Sequence, residues 1–290
     1  MGAAIKSEAR RRVIITGDDF GLAPAVNAAI IRAHREGILT CASLMVNAPA
    51  WQEAVELAQA WPELCVGLHL TLIQGRGVLS HRHIPHLVDD QGNFRRDPVA
   101  AGLMYYFSRR ARQEIRDELE AQMEKMLAAG LHPQFLNGHL NIHLHPAIWP
   151  LVKQSAEKYA IPAVRLAWEN LGATLSLNPR RPIYKTGHAL IFACLSAQAA
   201  KNLGGLRTNR HLFGLLNDGW LDESYLLGVL PQLQHGVTEI YFHPAVAPGP
   251  ELQSWPPHYR PQAELAALTS PKVAQRLTEL KIDLISFRDL

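Results

Sequence analysis

The sequence predicts an α/β fold, a TIM-like (β/α) barrel of about seven strands, and three observations support this class. Short apolar runs typical of buried strands recur along the 290 residues. Helical patterns separate them, and such alternation is typical of a parallel sheet with helical crossovers. Barrels of this kind commonly have about 250 residues, so the chain predicts one domain spanning 1–290.

The elements follow in chain order from hydrophobic periodicity. The predicted strands lie at 12–17, 40–46, 64–70, 133–138, 162–167, 238–243 and 282–287. The predicted helices lie at 24–36, 49–60, 110–129, 147–159, 222–233 and 271–280. The first helix begins at Pro24, a residue that suits the first helical position. Residues 1–11 carry no apolar signal-peptide core and include Lys6, Arg10 and Arg11, and we expect a flexible N-terminus there.

Two segments interrupt the alternation, at 75–109 and 168–215. Long connections within a compact domain are usually lids or binding loops, so we expect two insertions at the active face. The first ends in the apolar and aromatic run Leu103–Phe107, which is followed by several arginines. The second contains an apolar helix candidate at Ala189–Ala200.

Composition excludes several classes of protein. Hydrophobic residues make up 48% of the chain, which is enough for a large core, and the net charge of +3 is too small to indicate nucleic-acid binding. Cys41, Cys65 and Cys194 are odd in number and widely spaced, which favours reduced core cysteines. The sequence shows no export signal and no apolar run near the roughly 20 residues of a spanning helix. We therefore expect a cytoplasmic protein.

Two adjacent carboxylates, Asp18 and Asp19, follow the first predicted strand. Neighbouring side chains on a strand face different ways, so one could hold a metal ion while the other handles a proton. The alternative is that both simply cap the following helix and fill a turn. His69, His139 and His243 favour the first interpretation, because each also lies at the end of a predicted strand. In a barrel these strand ends line the active face.

A carboxylate with two imidazoles is typical of a catalytic metal site that leaves positions open. The series Thr16–Gly21, Gly67–Leu70, Asn137–His143 and Thr238–Pro244 resembles the YdjC-like carbohydrate deacetylases. The resemblance extends from about Arg12 to the end of the chain. It implies a barrel enzyme that removes acetyl groups from N-acetylated sugars with one divalent metal ion, Zn²⁺ or Mg²⁺ among the candidates.

Carried onto this sequence, the resemblance implies Asp19, His69 and His139 as metal ligands and Asp18 as general base. It makes His243 a candidate general acid, with His143 as the alternative. Many relatives have Asp and an additional His where this chain has Asn137 and Asn141, so no role is assigned to these two positions. Arg165, at the end of the fifth predicted strand, could contact substrate or pair with a carboxylate.

Within the family, the chain is most similar to the branch associated with hopanoid biosynthesis. The cues include the segments Ala42–Asn47 and Leu206–Gly214. The implied substrate is an N-acetylglucosaminyl hopane, which is a glycolipid. The candidate substrate-binding residues are His143, Arg165, Asn47, Tyr106 and Phe107.

The apolar, aromatic and basic order around Tyr106 and Phe107 suits peripheral contact with the inner face of a membrane. The alternative is that both insertions only pack on the barrel. The rival functions are deacetylation of soluble chito-oligosaccharides, another metal-dependent hydrolysis such as phosphoester cleavage, and sugar or lipid binding without catalysis. Oligomeric state stays open.

Overall fold

The computed structural model describes residues 10–247, 249, 252–253 and 255–290. Within this part of the chain, nine strands form one sheet, and every ladder between them is parallel. The strands are Arg11–Phe20 (β1), Cys41–Leu44 (β2), Cys65–Leu70 (β3), Leu136–Gly138 (β4), Ala163–Val164 (β5), Arg207–Thr208 (β6), His211–Phe213 (β7), Gly236–Phe242 (β8) and Asp283–Ile285 (β9).

The order of the strands is consistent with a TIM-like barrel. Neighbouring strands follow the order β6-β5-β4-β3-β2-β1-β8-β7, and β9 pairs with the first half of β1. The two ends of this path, β6 and β7, are separated by only two residues of the same chain. A bridge between Glu169 and Leu212 also joins the segment after β5 to β7. The parallel α/β class is therefore confirmed, and a TIM-like barrel is consistent with this order. The predicted count of about seven strands is not confirmed, because the described sheet contains β6 and β7 in addition to the predicted strands.

Helices surround the sheet. They are Pro24–Glu36 (α1), Trp51–Ala60 (α2), Pro98–Phe107 (α3), Arg109–Ala128 (α4), Trp149–Lys158 (α5), Leu171–Leu177 (α6), Pro182–Ala200 (α7), Glu223–Val229 (α8), Pro261–Leu268 (α9) and Pro271–Glu279 (α10). Local sequence explains many of their first turns. Five begin with proline, whose fixed φ and missing N–H suit this position, and Asp97, Ser108 and Ser270 cap α3, α4 and α10 through side-chain oxygens.

The interior of the barrel is arranged in layers because alternate side chains of each strand point inward. An apolar lower layer contains Ile14, Cys41, Cys65, Phe135, Ala163 and Val237. Phe287 closes this end of the barrel and stacks on Phe135 at 4.1 Å between ring centroids. A Cβ atom on Gly67 would lie 2.6 Å from Phe135, so glycine makes room for that ring. Above this layer the interior becomes polar.

Several expectations need correction. Arg11 belongs to β1, and residues 1–9 of the expected flexible N-terminus lie outside the described residues. The segment 168–215 contributes β6 and β7 to the sheet in addition to α6 and α7. Cys194 is exposed, whereas Cys41 and Cys65 are buried and free. Among the described helices, none combines the length and apolar character that crossing a bilayer requires.

Candidate metal centre and active site

Asp19, His69 and His139 bring three potential metal ligands together at the carboxyl end of the barrel. His139 Nδ1 lies 3.0 Å, and His69 Nε2 3.3 Å, from the same oxygen, Asp19 Oδ1. One ligand atom from each residue lies within 4.8 Å of the others. Asp19 and His69 are buried, so water competes little for these atoms. The donor set fits a single divalent ion with open coordination positions.

An irregular backbone brings these side chains together. Asp19 has a φ of 61°, and the register between β1 and β2 shifts between Gly17 and Phe20. Three further non-glycine residues of the same cavity are also left-handed, namely Gln74, Leu140 and Asn141. Such angles cost about 1 kcal/mol or more and tend to occur at functional sites. The bulge in β1 turns Asp19 towards the two histidines, while Asp18 points into the barrel.

Asp18 is held by a buried arginine. Arg165 Nη1 donates to Asp18 Oδ2 at 2.6 Å, and Nη2 donates to Oδ1 at 2.9 Å. Ser43 Oγ donates to Oδ1 at 2.8 Å. Burial alone would raise the pKa of Asp18, but the charge and hydrogen bonds of Arg165 outweigh burial, and the pKa falls to about 2. Asp18 is therefore an ionised carboxylate that lines the cavity.

Glu239 completes this ionic network from β8. Its two oxygens accept hydrogen bonds from Arg165 Nη2 at 2.7 Å and Arg165 Nε at 3.0 Å, and Thr16 Oγ1 donates to Oε1 at 2.7 Å. Arg165 and Glu239 are fully buried. The guanidinium thus binds two carboxylates with all three of its nitrogens. Of the two alternatives for Arg165, the structure shows pairing with a carboxylate, and the side chain does not line the cavity. Contact of Arg165 with a substrate stays a prediction.

Asn137 links the ligand cluster to this network. Its side chain lies between His69 Nδ1, Ser43 Oγ and Arg165. With Oδ1 turned towards Arg165, the amide accepts from Nη1 and Nη2 at 3.1 and 3.0 Å, and Nδ2 donates to His69 Nδ1 at 2.7 Å. The reversed amide instead accepts from His69 Nδ1–H and leaves Nε2 free as a metal ligand. An amide can therefore serve either tautomer of His69.

His243 faces the cavity from the end of β8. Its Nδ1 lies 3.2 Å from Asp218 Oδ1, and its ring contacts the rings of Tyr241, Trp255 and Tyr259. Burial would lower the pKa of His243, but the nearby carboxylates, chiefly Asp218, raise it to about 10. A divalent cation beside Asp19 would offset part of this increase. The arrangement favours a protonated imidazole, which can donate a proton.

One cavity of about 280 Å³ joins these groups. The predicted site residues that line it are Asp18, Asp19, His69, His139 and His243. An ionised carboxylate, a candidate metal centre and a protonated imidazole therefore share one space. The cavity is also lined by Leu140 and Asn141 on one side and by Trp255 and Tyr259 on another.

His143 does not line this cavity. It is fully buried, and its Nε2 donates to the backbone carbonyl of Arg165 at 3.0 Å. Burial lowers its pKa to about 3, so the imidazole is neutral. The reason is local: residues 139–144 form a kinked 3₁₀ turn rather than an α-helix, so His139 and His143 do not share a face. In this structure His143 supports the backbone at Arg165, and its contact with a substrate stays a prediction.

The other three expected substrate contacts lie outside the cavity. Asn47 lines an adjoining cavity, where its Nδ2 donates to Arg76 O. Tyr106 and Phe107 lie on α3 with 51% and 75% of their surfaces exposed. The Tyr106 ring lies 6.4 Å from that of His145, beside the turn that contains His139. Contact with a substrate at Asn47, Tyr106 or Phe107 stays a prediction.

Several residues of the site were not predicted from the sequence. Glu239 could have been found, because it alternates with Tyr241 and His243 on the inward face of β8. Asp218 and Trp255 lie in loops, where no periodic signal marks them. Trp255 Nε1 donates to Asp19 Oδ2 at 2.8 Å, so only the other carboxylate oxygen faces the histidines.

Comparisons with known proteins agree along nearly the whole chain. The profile of a family described as YdjC-like protein matches residues 12–279. A carbohydrate deacetylase of Brevibacillus brevis is 33% identical over 281 residues, which cover 96% of this chain and 99% of that protein. A carbohydrate deacetylase of Geobacillus stearothermophilus is 29% identical over 281 residues, covering 96% and 98%. A crystal structure from Enterococcus faecalis V583, provisionally named a cellobiose-phosphate cleavage protein, has a TM-score of 0.76 at 26% identity and covers 97% and 98% of the two chains.

Proposed function

This chain belongs to the YdjC-like protein family, and we propose that it is a metal-dependent carbohydrate deacetylase that removes the acetyl group from an N-acetylglucosamine-bearing substrate. The observation that carries this proposal is the single cavity shared by Asp18, the Asp19 cluster and His243. Amide hydrolysis needs activated water, a polarised carbonyl and a proton for the leaving amine. The cavity contains a residue suited to each need.

Asp19, His69 and His139 would hold one divalent ion, and their buried Oδ1, Nε2 and Nδ1 atoms support this assignment. When bound, the ion supplies Lewis-acid polarisation of the amide carbonyl. Zinc and magnesium are both compatible with one carboxylate and two imidazoles, as are manganese, cobalt and nickel.

Asp18 is the proposed general base. Its carboxylate is ionised and bordered by the cavity, and Arg165 and Ser43 fix its orientation. It would accept a proton from the attacking water, and pre-fixed hydrogen bonds mean that little reorganisation is needed at that moment. A low pKa makes Asp18 a weak base, so its proton transfer depends on the acidity that the metal site gives the water.

His243 is the proposed general acid. Its raised pKa keeps the imidazole protonated, and Nδ1 lies beside the Asp218 carboxylate, which leaves Nε2 as the nitrogen available to a leaving group. The backbone N–H of His243 also donates to Glu264 at 2.6 Å, which fixes the main chain at this point. The proton would pass from the imidazole to the amine nitrogen as the C–N bond breaks.

For the substrate we propose N-acetylglucosaminyl hopane, with soluble chito-oligosaccharides as the alternative. Exposed apolar side chains support a glycolipid. They lie on α3 and α7 as Val99, Leu103, Tyr106, Phe107, Ile183, Tyr184, Leu190 and Ile191. Arg109 and Arg110 follow α3 and are exposed, so apolar and cationic groups adjoin, as at the surface of an anionic membrane. We propose peripheral contact there, at the inner face of the membrane.

Acetate release tests both levels of the proposal. Protein stripped of metal with a chelator and reloaded with Zn²⁺ would be offered N-acetylglucosaminyl hopane and diacetylchitobiose separately. We expect the reloaded protein to release acetate from the glycolipid and the stripped protein to release none. Acetate release from the soluble sugar alone would support deacetylase activity and contradict the glycolipid as substrate. Release from neither substrate, under zinc or magnesium, would contradict deacetylation.

Phosphoester hydrolysis is the other metal-dependent reaction that the barrel could support. Such sites commonly use two metal ions about 4 Å apart, and these need additional carboxylates. Within the described ranges, only the Asp19, His69 and His139 group has the ligand spacing for a metal. Two tightly bound ions per chain in a metal analysis would favour phosphoester hydrolysis over the proposed activity.

A further inference from the structure

Lys185 places a buried ammonium group on α7, outside the active-site cavity. Only 4% of its surface is exposed. Its Nζ donates to the backbone oxygen of Asn178 and to Oδ1 of Asn217, both at 2.7 Å. Burial lowers the pKa of Lys185, and the charge of Glu169 acts in the opposite direction. Burying an ammonium group against uncharged amide oxygens is costly, which makes this lysine a candidate for a functional role.

Asn217 accepts the hydrogen bond of this lysine at the start of a tight turn. Its Oδ1 also accepts from Asn178 Nδ2 at 3.0 Å, so two donors hold the side-chain oxygen. The backbone oxygen of Asn217 accepts from Trp220 N at 2.9 Å, which closes the turn at 217–220. Asp218 is the second residue of this turn. A contact that fixes Asn217 therefore also fixes the backbone that carries Asp218.

The loop before α9 holds the other side of the turn. Arg260 N donates to Gly219 O at 2.8 Å, and the Tyr259 hydroxyl donates to Asp218 Oδ2. Gly219 has a φ of 71°, and a Cβ atom at this position would clash with the Tyr259 ring. The turn is thus held between two structures, with α7 on one side and the loop before α9 on the other.

The position of the turn sets the distance between Asp218 and His243. Asp218 Oδ1 lies 3.2 Å from His243 Nδ1, and the Asp218 side chain is 31% exposed. Burial alone therefore does not fix this carboxylate. Because the Coulomb energy falls with distance, a movement of the turn would weaken the pairing of Asp218 with the imidazole.

We propose that Lys185 is a positioning residue for the general acid: through Asn217 it holds the turn at 217–220 so that Asp218 faces His243. This inference rests on the proposed deacetylase function and deepens it by adding a residue that acts on one step. It also joins α7, which exposes Ile183, to the group that protonates the leaving amine. The alternative is that Lys185 only stabilises α7 against the barrel.

Two kinds of substrate distinguish these roles. In an N-acetylated sugar, the C–N bond breaks and the amine nitrogen must receive a proton. In p-nitrophenyl acetate, the C–O bond breaks and p-nitrophenolate leaves with the electron pair, without a proton. A defect in the general acid should therefore slow amide hydrolysis and spare ester hydrolysis. A general loss of structure should slow both reactions equally.

Lys185→Met tests the proposal, with Lys201→Met as the matched control at the exposed end of the same helix. Zinc-dependent rates would be measured with N-acetylglucosaminyl hopane, diacetylchitobiose and p-nitrophenyl acetate. Loss of a hydrogen bond from a charged donor should lower kcat for the amide substrates about tenfold in Lys185→Met. The rate with p-nitrophenyl acetate, and all rates of Lys201→Met, should stay unchanged.

Asn217→Ala tests the same link from its other side, and it serves alone if Lys185→Met does not fold. It should show the same selective loss on the amide substrates. If the lysine acts through Asn217, adding Lys185→Met to Asn217→Ala should lower kcat little further. Losses that multiply in the double variant would overturn the proposal.

Two further outcomes separate this inference from the proposed function. Equal losses on the amides and the ester in Lys185→Met would overturn the positioning role and leave deacetylation intact. No acetate release from either N-acetylated substrate by the unmodified protein would contradict deacetylation, and crystal structures would then test Lys185 alone. A separation of Asp218 Oδ1 and His243 Nδ1 beyond about 4 Å in Lys185→Met would support the positioning role. A separation that stays at 3.2 Å would overturn it.

Discussion

Asp18 and Asp19 are neighbours in the sequence but occupy different electrostatic environments. Asp18 faces Arg165 inside the barrel, whereas Asp19 faces two imidazoles and the Trp255 indole. The left-handed backbone at Asp19 produces this separation, since a regular strand could not direct both carboxylates into one cavity. Two chemically identical side chains can then act separately as base and ligand.

Asp18→Asn and Asp19→Asn should therefore have different effects. Asn at position 18 keeps the shape but cannot accept a proton, so we expect kcat to fall by about a thousandfold or more while the metal Kd changes little. Asn at position 19 should weaken metal binding as well. Steady-state kinetics and calorimetric titration of Zn²⁺ into stripped protein would measure both effects. Equal loss of metal in the two variants would mean that their roles are exchanged.

Trp255 is expected to control how Asp19 binds the metal. Its indole N–H holds Oδ2 at 2.8 Å, which leaves Oδ1 as the single ligand oxygen. Trp255→Phe keeps an aromatic ring against His243 and removes only the donor. We expect the Zn²⁺ Kd to rise about tenfold or more, as for other partners of metal ligands, with a small change in melting temperature.

Trp220→Phe is the matched control for this prediction. Trp220 lies in a neighbouring loop, and its indole N–H donates to His258 O rather than to a carboxylate of the cluster. Its loss should leave the Zn²⁺ Kd unchanged. An unchanged Kd in Trp255→Phe as well would show that the Asp19 carboxylate keeps its orientation without the indole.

At the scale of elements, the loops after β5 and β7 are joined by one carboxylate. Glu169 accepts hydrogen bonds from Thr174 Oγ1 at 2.6 Å and from the backbone N–H groups of Leu215 and Leu216 at 2.8 and 3.0 Å. Burial raises its pKa from 4.5 to about 7, against the lowering effect of these bonds. The loop that leads to Asp218 is therefore held by a carboxyl group whose pKa lies near neutral pH.

This raised pKa predicts a pH-dependent stability. A group with a raised folded-state pKa contributes stability that is fully present below pH 4.5 and is lost as the pH rises through 7. After discounting for the partial solvent exposure of Glu169, we expect about 2 kcal/mol to be lost between pH 5 and pH 8. Gln at position 169 cannot titrate. The free energy of unfolding of Glu169→Gln, measured in urea, should therefore fall by about 2 kcal/mol less between pH 5 and pH 8 than that of the unmodified protein. Parallel curves for the two proteins would contradict the prediction.

The limits of sequence-based prediction also lie at the scale of elements. The predicted bounds of the long amphipathic helices lie within a few residues of the observed ones. The predicted 24–36 helix matches α1 residue for residue, because periodicity and an initial proline both mark it. Strands β6 and β7 were missed because they have two and three residues, too few to show alternation. The five polar strand-end residues of the cavity could be predicted, since parallel topology places strand ends together. Asp218 and Trp255 could not, because loop conformation alone brings them to His243 and Asp19.

At the scale of the whole molecule, two surfaces of different chemistry flank the active-site cavity. A second cavity, whose lining includes Asn47, Gln74 and Arg96, lies beside the loops after β2 and β3. On the other side, the turn at 139–145 lies between the active-site cavity and α3. The second cavity combines apolar and polar side chains, whereas the exposed side chains of α3 are apolar. With its hydrocarbon part on the α3 surface, the proposed glycolipid would place its N-acetyl group in the active-site cavity.

Replacing Leu103, Tyr106 and Phe107 with Ser tests whether the α3 surface contacts lipid. Removal of about 1 kcal/mol of membrane contact per side chain should lower binding to anionic vesicles roughly a hundredfold. Action on vesicle-borne N-acetylglucosaminyl hopane should fall similarly, while action on diacetylchitobiose should not change, because none of these residues lines the active-site cavity. Leu284→Ser, on β9 far along the chain, removes another exposed apolar side chain and should have no effect on either substrate. Unchanged vesicle binding by the triple variant would show that the α3 surface does not contact lipid.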